Sequence, residues 1–155
     1  MTVRIAILDD YLQVSRDLAP WHTLPPDFTL KVFSEPFASE AEAAEKLQPF
    51  EILVAMRERT RFPESLLTQL PNLRLLVTTG MRNLSIDMDC ARQQGMTVCG
   101  TRMLGYPTAE LTWALILGLV RNLPAEYQAM QSGGWHVGLG LGLKDKTLVQ
   151  TSESD

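Results

Sequence analysis

A chain of 155 residues with 45% hydrophobic and 21% charged side chains has enough apolar material for one globular domain, or one domain and part of another. Its formal net charge of −4 offers no basic face to a nucleic acid. The longest apolar stretch, "LTWALILGLV", is about half the ~20 residues a bilayer crossing needs, and the opening "MTVRIAILDD" turns acidic too early for a secretory leader. The expectation is a cytoplasmic protein with no nucleic-acid or membrane partner.

In chain order, "VRIAIL" is a short branched apolar run ending at Asp9 and Asp10, the pattern of a strand buried on both faces. "FTLKVF" alternates and puts Lys31 outward, as an edge strand does. Ser39 and Glu42 have capping-box spacing at the start of a helix in "SEAEAAEKL". "EILVAM" is a second fully apolar strand. "PESLLTQL" is a helix with Pro63 as its first residue and Leu66, Leu67 and Leu70 on one face. "NLRLLVTT" is the fourth strand. "DMDCARQQG" is a short helix capped by Asp87 and stopped by Gly95, and "MTVCG" is the fifth strand. With "PWHTLPP" as a surface-like loop in the first helical region, strand and helix alternate five times.

That alternation predicts an α/β fold: a five-stranded parallel sheet, flavodoxin-like in its order 2-1-3-4-5, with helices on both faces. Such sheets bind ligands beyond the carboxyl ends of their strands. Candidate site residues are therefore Asp9, Asp10 and Tyr11, Arg57, Glu58 and Arg59, Thr78 through Asn83, and Gly100 through Arg102. After the fifth strand, "TAELTWALILGLVRNLPAEYQAMQ" reads as one long apolar helix capped by Thr108, and "SGGWHVGLGLGL" as an extended connector. The units so defined are 1–104, 105–148 and a divergent tail, 149–155.

Arg57 and Arg82 fall on adjacent loops at the productive edge, where planar guanidinium groups suit a small carboxylate. Gly80 opens a turn that lets backbone N–H groups approach an anion. A phosphorylation receiver is excluded: "AMRERT" stands where the third strand should deliver a phosphate-accepting Asp, and "CGTR" where a Lys should follow the fifth. A flavin site is excluded because "DDYLQ" lacks the small hydroxyl residues that hold a flavin phosphate. Cys90 and Cys99 read as reduced core thiols, and His22 and His136 have no ligand-spaced companions, so no metal is expected.

The run "LPNLRLLVTTGMRNLSIDMDCARQQGMTVCGT", followed by "TAELTWALILGLVRNL" and "GGW", resembles the N-terminal part of the D-isomer-specific 2-hydroxyacid dehydrogenases. The resemblance extends from about residue 3 to about residue 148. It implies a substrate domain with a Rossmann-type NAD domain inserted into it, the long helix belonging to that second domain. It implies that Arg57 approaches the substrate carboxylate and that Gly80, Met81 and Arg82 form the turn whose amides hold it. Many relatives carry a second glycine where Arg82 stands. Thr108 is implied to border the nicotinamide, and the helix 109–123 to take part in a homo-oligomer.

The family's G-x-G-x-x-G loop follows a "KTL"-like segment and opens a helix. Here the glycines 138, 140 and 142 precede "KTL", lack the third-glycine spacing, and are followed by no helical pattern. They read as connector, and the chain continues "VQTSESD". The family's catalytic His, Glu and Arg are matched by no residue of this chain. The expectation is an N-terminal substrate-domain piece of an NAD-dependent enzyme, truncated before its nucleotide loop. It would bind a small 2-hydroxy or 2-oxo carboxylate, hold NAD at most weakly, and be inactive alone. The alternatives are a non-catalytic carboxylate-binding module that could dock on a full-length relative, or a non-functional remnant.

Overall fold

A computed structural model describes residues 2–149, so most of the expected tail at 149–155 lies outside the described residues. The chain divides into two compact units, residues 1–103 and 104–155.

In the first unit, β1 (Val3–Ile7), β2 (Phe28–Val32), β3 (Ile52–Ala55), β4 (Leu75–Thr78) and β5 (Thr97–Gly100) form one sheet in the order β2-β1-β3-β4-β5, every pairing parallel. This is the predicted α/β fold and strand order, with the difference that the three crossover helices of this unit contribute to one face of the sheet rather than to both. Parallel pairing requires crossovers, and three carry helices: α1 (Glu40–Leu47), α2 (Glu64–Leu67) and α3 (Met88–Gln93). The helices contribute Ala43, Leu47, Leu66, Leu67 and Ala91 to a cluster with Ala6, Leu8, Leu53, Ala55 and Leu76, which alternate along the strands and share one sheet face. The opposite face is apolar too, with Ile5 and Ile7 buried and Ile52, Val54, Leu75 and Val77 half-buried.

Local chemistry sets the helix ends. Ser39 Oγ accepts from the Glu42 N–H at 3.2 Å, and Glu42 reaches back to the Ala38 N–H at 2.6 Å, one residue before the usual capping-box partner. Asp87 caps α3 by accepting from the Cys90 N–H at 2.9 Å. Gly95, at φ 71°, ends it in the left-handed region. Pro63 sits one place earlier than expected, at the N-cap of α2 with an extended ψ of 168°.

Two sequence expectations fail in this unit. The first crossover has no α-helix, only a 3-10 turn at Trp21–Thr23. Pro20, Pro25 and Pro26 flank that turn and lack the N–H a continuing helix would use. Upstream, the Asp10 carboxylate takes the N–H groups of Val14 and Ser15 at 3.1 and 3.0 Å. Cys99 is exposed rather than in the core, because β5 is an edge strand; Cys90 is buried, and both thiols are free.

Asp10 is itself buried. The Ser15 hydroxyl beside it, together with the Ser15, Val14 and Gln13 amides, holds its carboxyl below the ordinary 3.8, against the opposing push of burial. A depressed folded value means stability that is complete above the unfolded carboxyl value and lost as pH falls through the folded one. Asp10→Asn should therefore lower the urea midpoint at pH 7, and the gap from wild type should narrow as the pH is taken below about 4.

The second unit holds α4 (Tyr106–Val120) and α5 (Leu123–Gln131), where the sequence suggested one helix. The break is at Asn122, left-handed at φ 54°. Pro124 explains it: without an N–H it cannot donate to the Val120 carbonyl, which instead accepts from the Leu141 N–H at 2.6 Å. Thr108 is not the cap of α4; Gly105 is, and Pro107 starts the helix early enough to leave Thr108 inside its first turn. No α4 residue is buried. Among the described residues no helix is long and apolar enough to cross a membrane.

Candidate functional site

The predicted carboxylate turn is built where β3, β4 and β5 end. Gly80 follows β4 at φ 107°, a region side chains avoid. Its N–H donates to Thr101 Oγ1 at 3.0 Å, and its carbonyl accepts from the Thr101 N–H at 3.2 Å. Gly100 must be glycine for a second reason: a Cβ there would lie 2.6 Å from the Gly80 carbonyl oxygen. Two glycines thus let the β4 turn and the end of β5 close on each other.

Arg57 ends β3 in the left-handed region at φ 55°. Its N–H donates to Thr79 Oγ1 at 3.0 Å, and its carbonyl accepts from Asn83 Nδ2 at 2.6 Å. The same Asn83 amide reaches buried Thr78 Oγ1 at 2.9 Å, tying the two loops into one piece. The Arg57 guanidinium lies directly over the turn: Nη1 is 2.4 Å from where a Gly80 Cβ would stand and 3.0 Å from Met103 Sδ. Nε is 3.5 Å from the Glu58 carboxylate, an exposed pair that constrains it little.

Of the three predicted amides, Gly80 is already engaged by Thr101, whereas the N–H groups of Met81 and Arg82 have no acceptor among the described residues. Arg82 lines a cavity of about 300 Å³ with Thr78, Leu84, Val98 and Gly100; Arg57 is not in that lining. The turn thus carries two N–H groups without an acceptor among the described residues, with one guanidinium over Gly80. Thr101, Thr79 and Asn83 were legible only as members of the strand-end set, and Met103 carried no sequence signal.

In the second unit, the closing glycines are held by an acid. Both Glu126 carboxylate oxygens accept from the Val137 N–H at 3.1 Å, and one also accepts from the Gly138 N–H at 3.2 Å. Gly140 packs so closely that a Cβ would meet Arg121 Nε at 3.0 Å. His136 stands at φ 58° beside a cavity of about 420 Å³ that also includes Trp135, Glu126 and Arg121. Among the described residues the Thr108 side chain makes no hydrogen bond; its carbonyl accepts from Thr112 Oγ1 at 2.8 Å, and the residue is exposed.

No family model matches the chain. A glyoxylate reductase from Aeropyrum pernix is 37% identical over 93 residues, 54% of this chain and 28% of that protein. A phosphoglycerate oxidoreductase from Vibrio cholerae superposes with a TM-score of 0.80 at 38% identity, over 92% of this chain and 46% of that one. The chain belongs to the D-isomer-specific 2-hydroxyacid dehydrogenase family. It spans less than half the length of these dehydrogenases. A D-lactate dehydrogenase from Aquifex aeolicus, solved in complex with NAD and lactic acid, shares the fold at 20% identity and a TM-score of 0.61, over 90% of this chain and 41% of that one.

The described residues do not fit the pyrophosphate of a dinucleotide such as the NAD of that relative. A phosphate cradle needs free amides at the head of a helix. Here the Val137 and Gly138 amides are filled by the Glu126 carboxylate, which would repel a phosphate, and among the described residues no helix follows the glycines.

Proposed function

We propose that the chain is the substrate-holding part of an NAD-dependent D-2-hydroxyacid dehydrogenase and by itself binds a small 2-hydroxy or 2-oxo carboxylate without turning it over. The observation that carries the reading is the Arg57 guanidinium fixed over the Gly80–Arg82 turn, with the Met81 and Arg82 amides free. The carboxylate lies between them, with the Arg82 guanidinium adding positive potential nearby. Thr108 is the chain's contribution to the nicotinamide side of the complete enzyme. Inactivity is supported by the histidines: a proton-relaying His is normally oriented by a hydrogen-bonded carboxylate, and among the described residues neither His22 nor His136 has one.

Calorimetric titration with glyoxylate or hydroxypyruvate is expected to saturate. Arg57→Ala, which removes a charge-assisted contact, should weaken binding by about tenfold or more. Mixed with NADH and a panel of 2-oxo acids, the purified chain should consume no NADH above the blank. Steady consumption would overturn the inactive reading, and an unsaturable titration the binding one.

A second reading, a stand-alone carboxylate-binding module or docking partner of a full-length relative, draws support from the turn's location. Arg57, Gly80, Thr101 and Met103 all belong to the first unit. Co-elution with a full-length relative, with binding retained and no gain in turnover, would favour it.

Self-association through the helix 109–123 belongs to the same proposal. Leu111, Trp113, Leu115 and Leu119 are 60%, 52%, 65% and 79% exposed, an apolar surface of the kind that drives association. Sizing chromatography should give dimers or larger species, and Leu115→Lys with Leu119→Glu should move them toward monomer.

A further inference from the structure

Asp9 follows β1 with a buried carboxylate that makes no ion pair among the described residues. The residue is 2% exposed. Its two oxygens accept from the Tyr11 hydroxyl at 3.2 Å and the Thr60 hydroxyl at 2.7 Å. Arg59 donates instead to the Asp9 carbonyl oxygen at 2.8 Å and lays its guanidinium 4.5 Å from the centre of the Tyr11 ring. Among the described residues no ion pair includes Asp9 or Arg61. A buried carboxylate without a counter-charge is costly to keep, and two hydroxyls fill only about half of its acceptor positions.

Beside it lies a cavity of about 250 Å³, at the carboxyl ends of β1 and β3. The strand order reverses between these two strands, which is where open parallel sheets hold ligands. Leu66, fully buried, and half-buried Phe37 give the cavity an apolar wall, while Ser39, Glu40, Arg59 and Arg61 stand on its lining with Asp9. It shares no lining residue with the Gly80 turn. Among the described residues no three His, Cys, Asp or Glu side chains gather to hold a metal ion, so the missing positive charge is better supplied by an organic ammonium.

We propose that this cavity is a second small-molecule site, for a zwitterionic α-amino acid. The ammonium meets Asp9, the carboxylate meets Arg61, and the side chain packs on Leu66 and Phe37. A simple carboxylic acid is repelled by Asp9, and a simple amine leaves Arg61 without a partner. The site therefore selects against the carboxylates assigned to the Gly80 turn.

The test is calorimetric titration of the full chain with each of the standard L-amino acids at millimolar concentration, then with the amine and the deaminated acid that correspond to the best binder. At least one amino acid should bind saturably, its amine and acid at least severalfold more weakly. Asp9→Asn and Arg61→Gln should each weaken binding by about tenfold or more. Arg61 is exposed, so its variant tests the proposal even if Asp9→Asn fails to fold, and it should leave glyoxylate binding unchanged. The proposal is overturned if no amino acid saturates, if Arg61→Gln binds as tightly as wild type, or if the amine alone binds as well as the amino acid.

Discussion

Gly80→Ala is expected to abolish tight carboxylate binding while leaving the protein folded. The new Cβ would lie 2.4 Å from Arg57 Nη1, a separation that cannot persist. What yields is the tip of a long, half-exposed side chain, so the packing cost is small and the guanidinium swings off the turn. The stability cost comes from the backbone: at φ 107° an alanine is strained by about 1–2 kcal/mol. That is a fraction of the ~5–15 kcal/mol holding a domain of this size together. Binding should fall by about tenfold or more, as in Arg57→Ala, since both changes remove the same charge-assisted contact. The double variant should then bind no worse than either single one, because the effects act through one group. Full additivity, or wild-type affinity in Gly80→Ala, would show that Arg57 does not hold the anion from its position over the turn. Gly100→Ala makes the contrast: its Cβ would press on the Gly80 carbonyl at 2.6 Å and Met81 Cα at 3.1 Å, backbone atoms that cannot swing aside. Its stability loss should be the larger of the two.

What the sequence made legible is local. Apolar runs bounded by turns located all five strands, and a first strand with neighbours on both sides led to the observed order. The Ser39–Glu42 and Asp87 caps could be read because each partner lies within three or four residues. The failures are of two kinds: local proline effects, at Pro20, Pro25, Pro26, Pro107 and Pro124, and contacts between residues far apart in the chain. The break at Asn122 follows locally from Pro124, but the partner that satisfies the freed Val120 carbonyl is Leu141. Likewise, that the Gly80 amide is occupied could not be inferred without the Thr101 hydroxyl, brought to it by the pairing of β4 with β5. Arg57 and Asp9 carry positive φ with ordinary side chains, a conformation that composition does not signal. Spacing, position before "KTL" and the lack of a following helical pattern set the glycines 138–142 apart from a phosphate loop, whereas the hold of Glu126 on the Val137 and Gly138 amides spans 11 and 12 residues and leaves no such local signal.

Phe62→Ala should be the most destabilising single change in the first unit, by about 3–5 kcal/mol. Phe62 is fully buried and heads the largest of the fully buried side chains. Its position makes the cavity hard to close, because its backbone is fixed on both sides. The N–H donates to the Ser85 carbonyl at 2.7 Å, and its own carbonyl accepts from the Asp87 N–H at 3.0 Å. Those two bonds join the loop after β3 to the loop after β4 at the start of α3, and so brace the segments that carry Arg57 and Gly80. Truncating the ring removes packing while the main chain stays anchored, so the surrounding leucines cannot collapse into the space. Phe62→Leu keeps most of the volume and should cost markedly less. Urea unfolding followed by circular dichroism would register both losses as shifts in midpoint at unchanged slope. Because the backbone bonds survive in Phe62→Leu, its glyoxylate affinity should match wild type. A binding loss there as large as in Gly80→Ala would mean that the turn is positioned through this core and not by the local contacts among Arg57, Asn83 and Thr101.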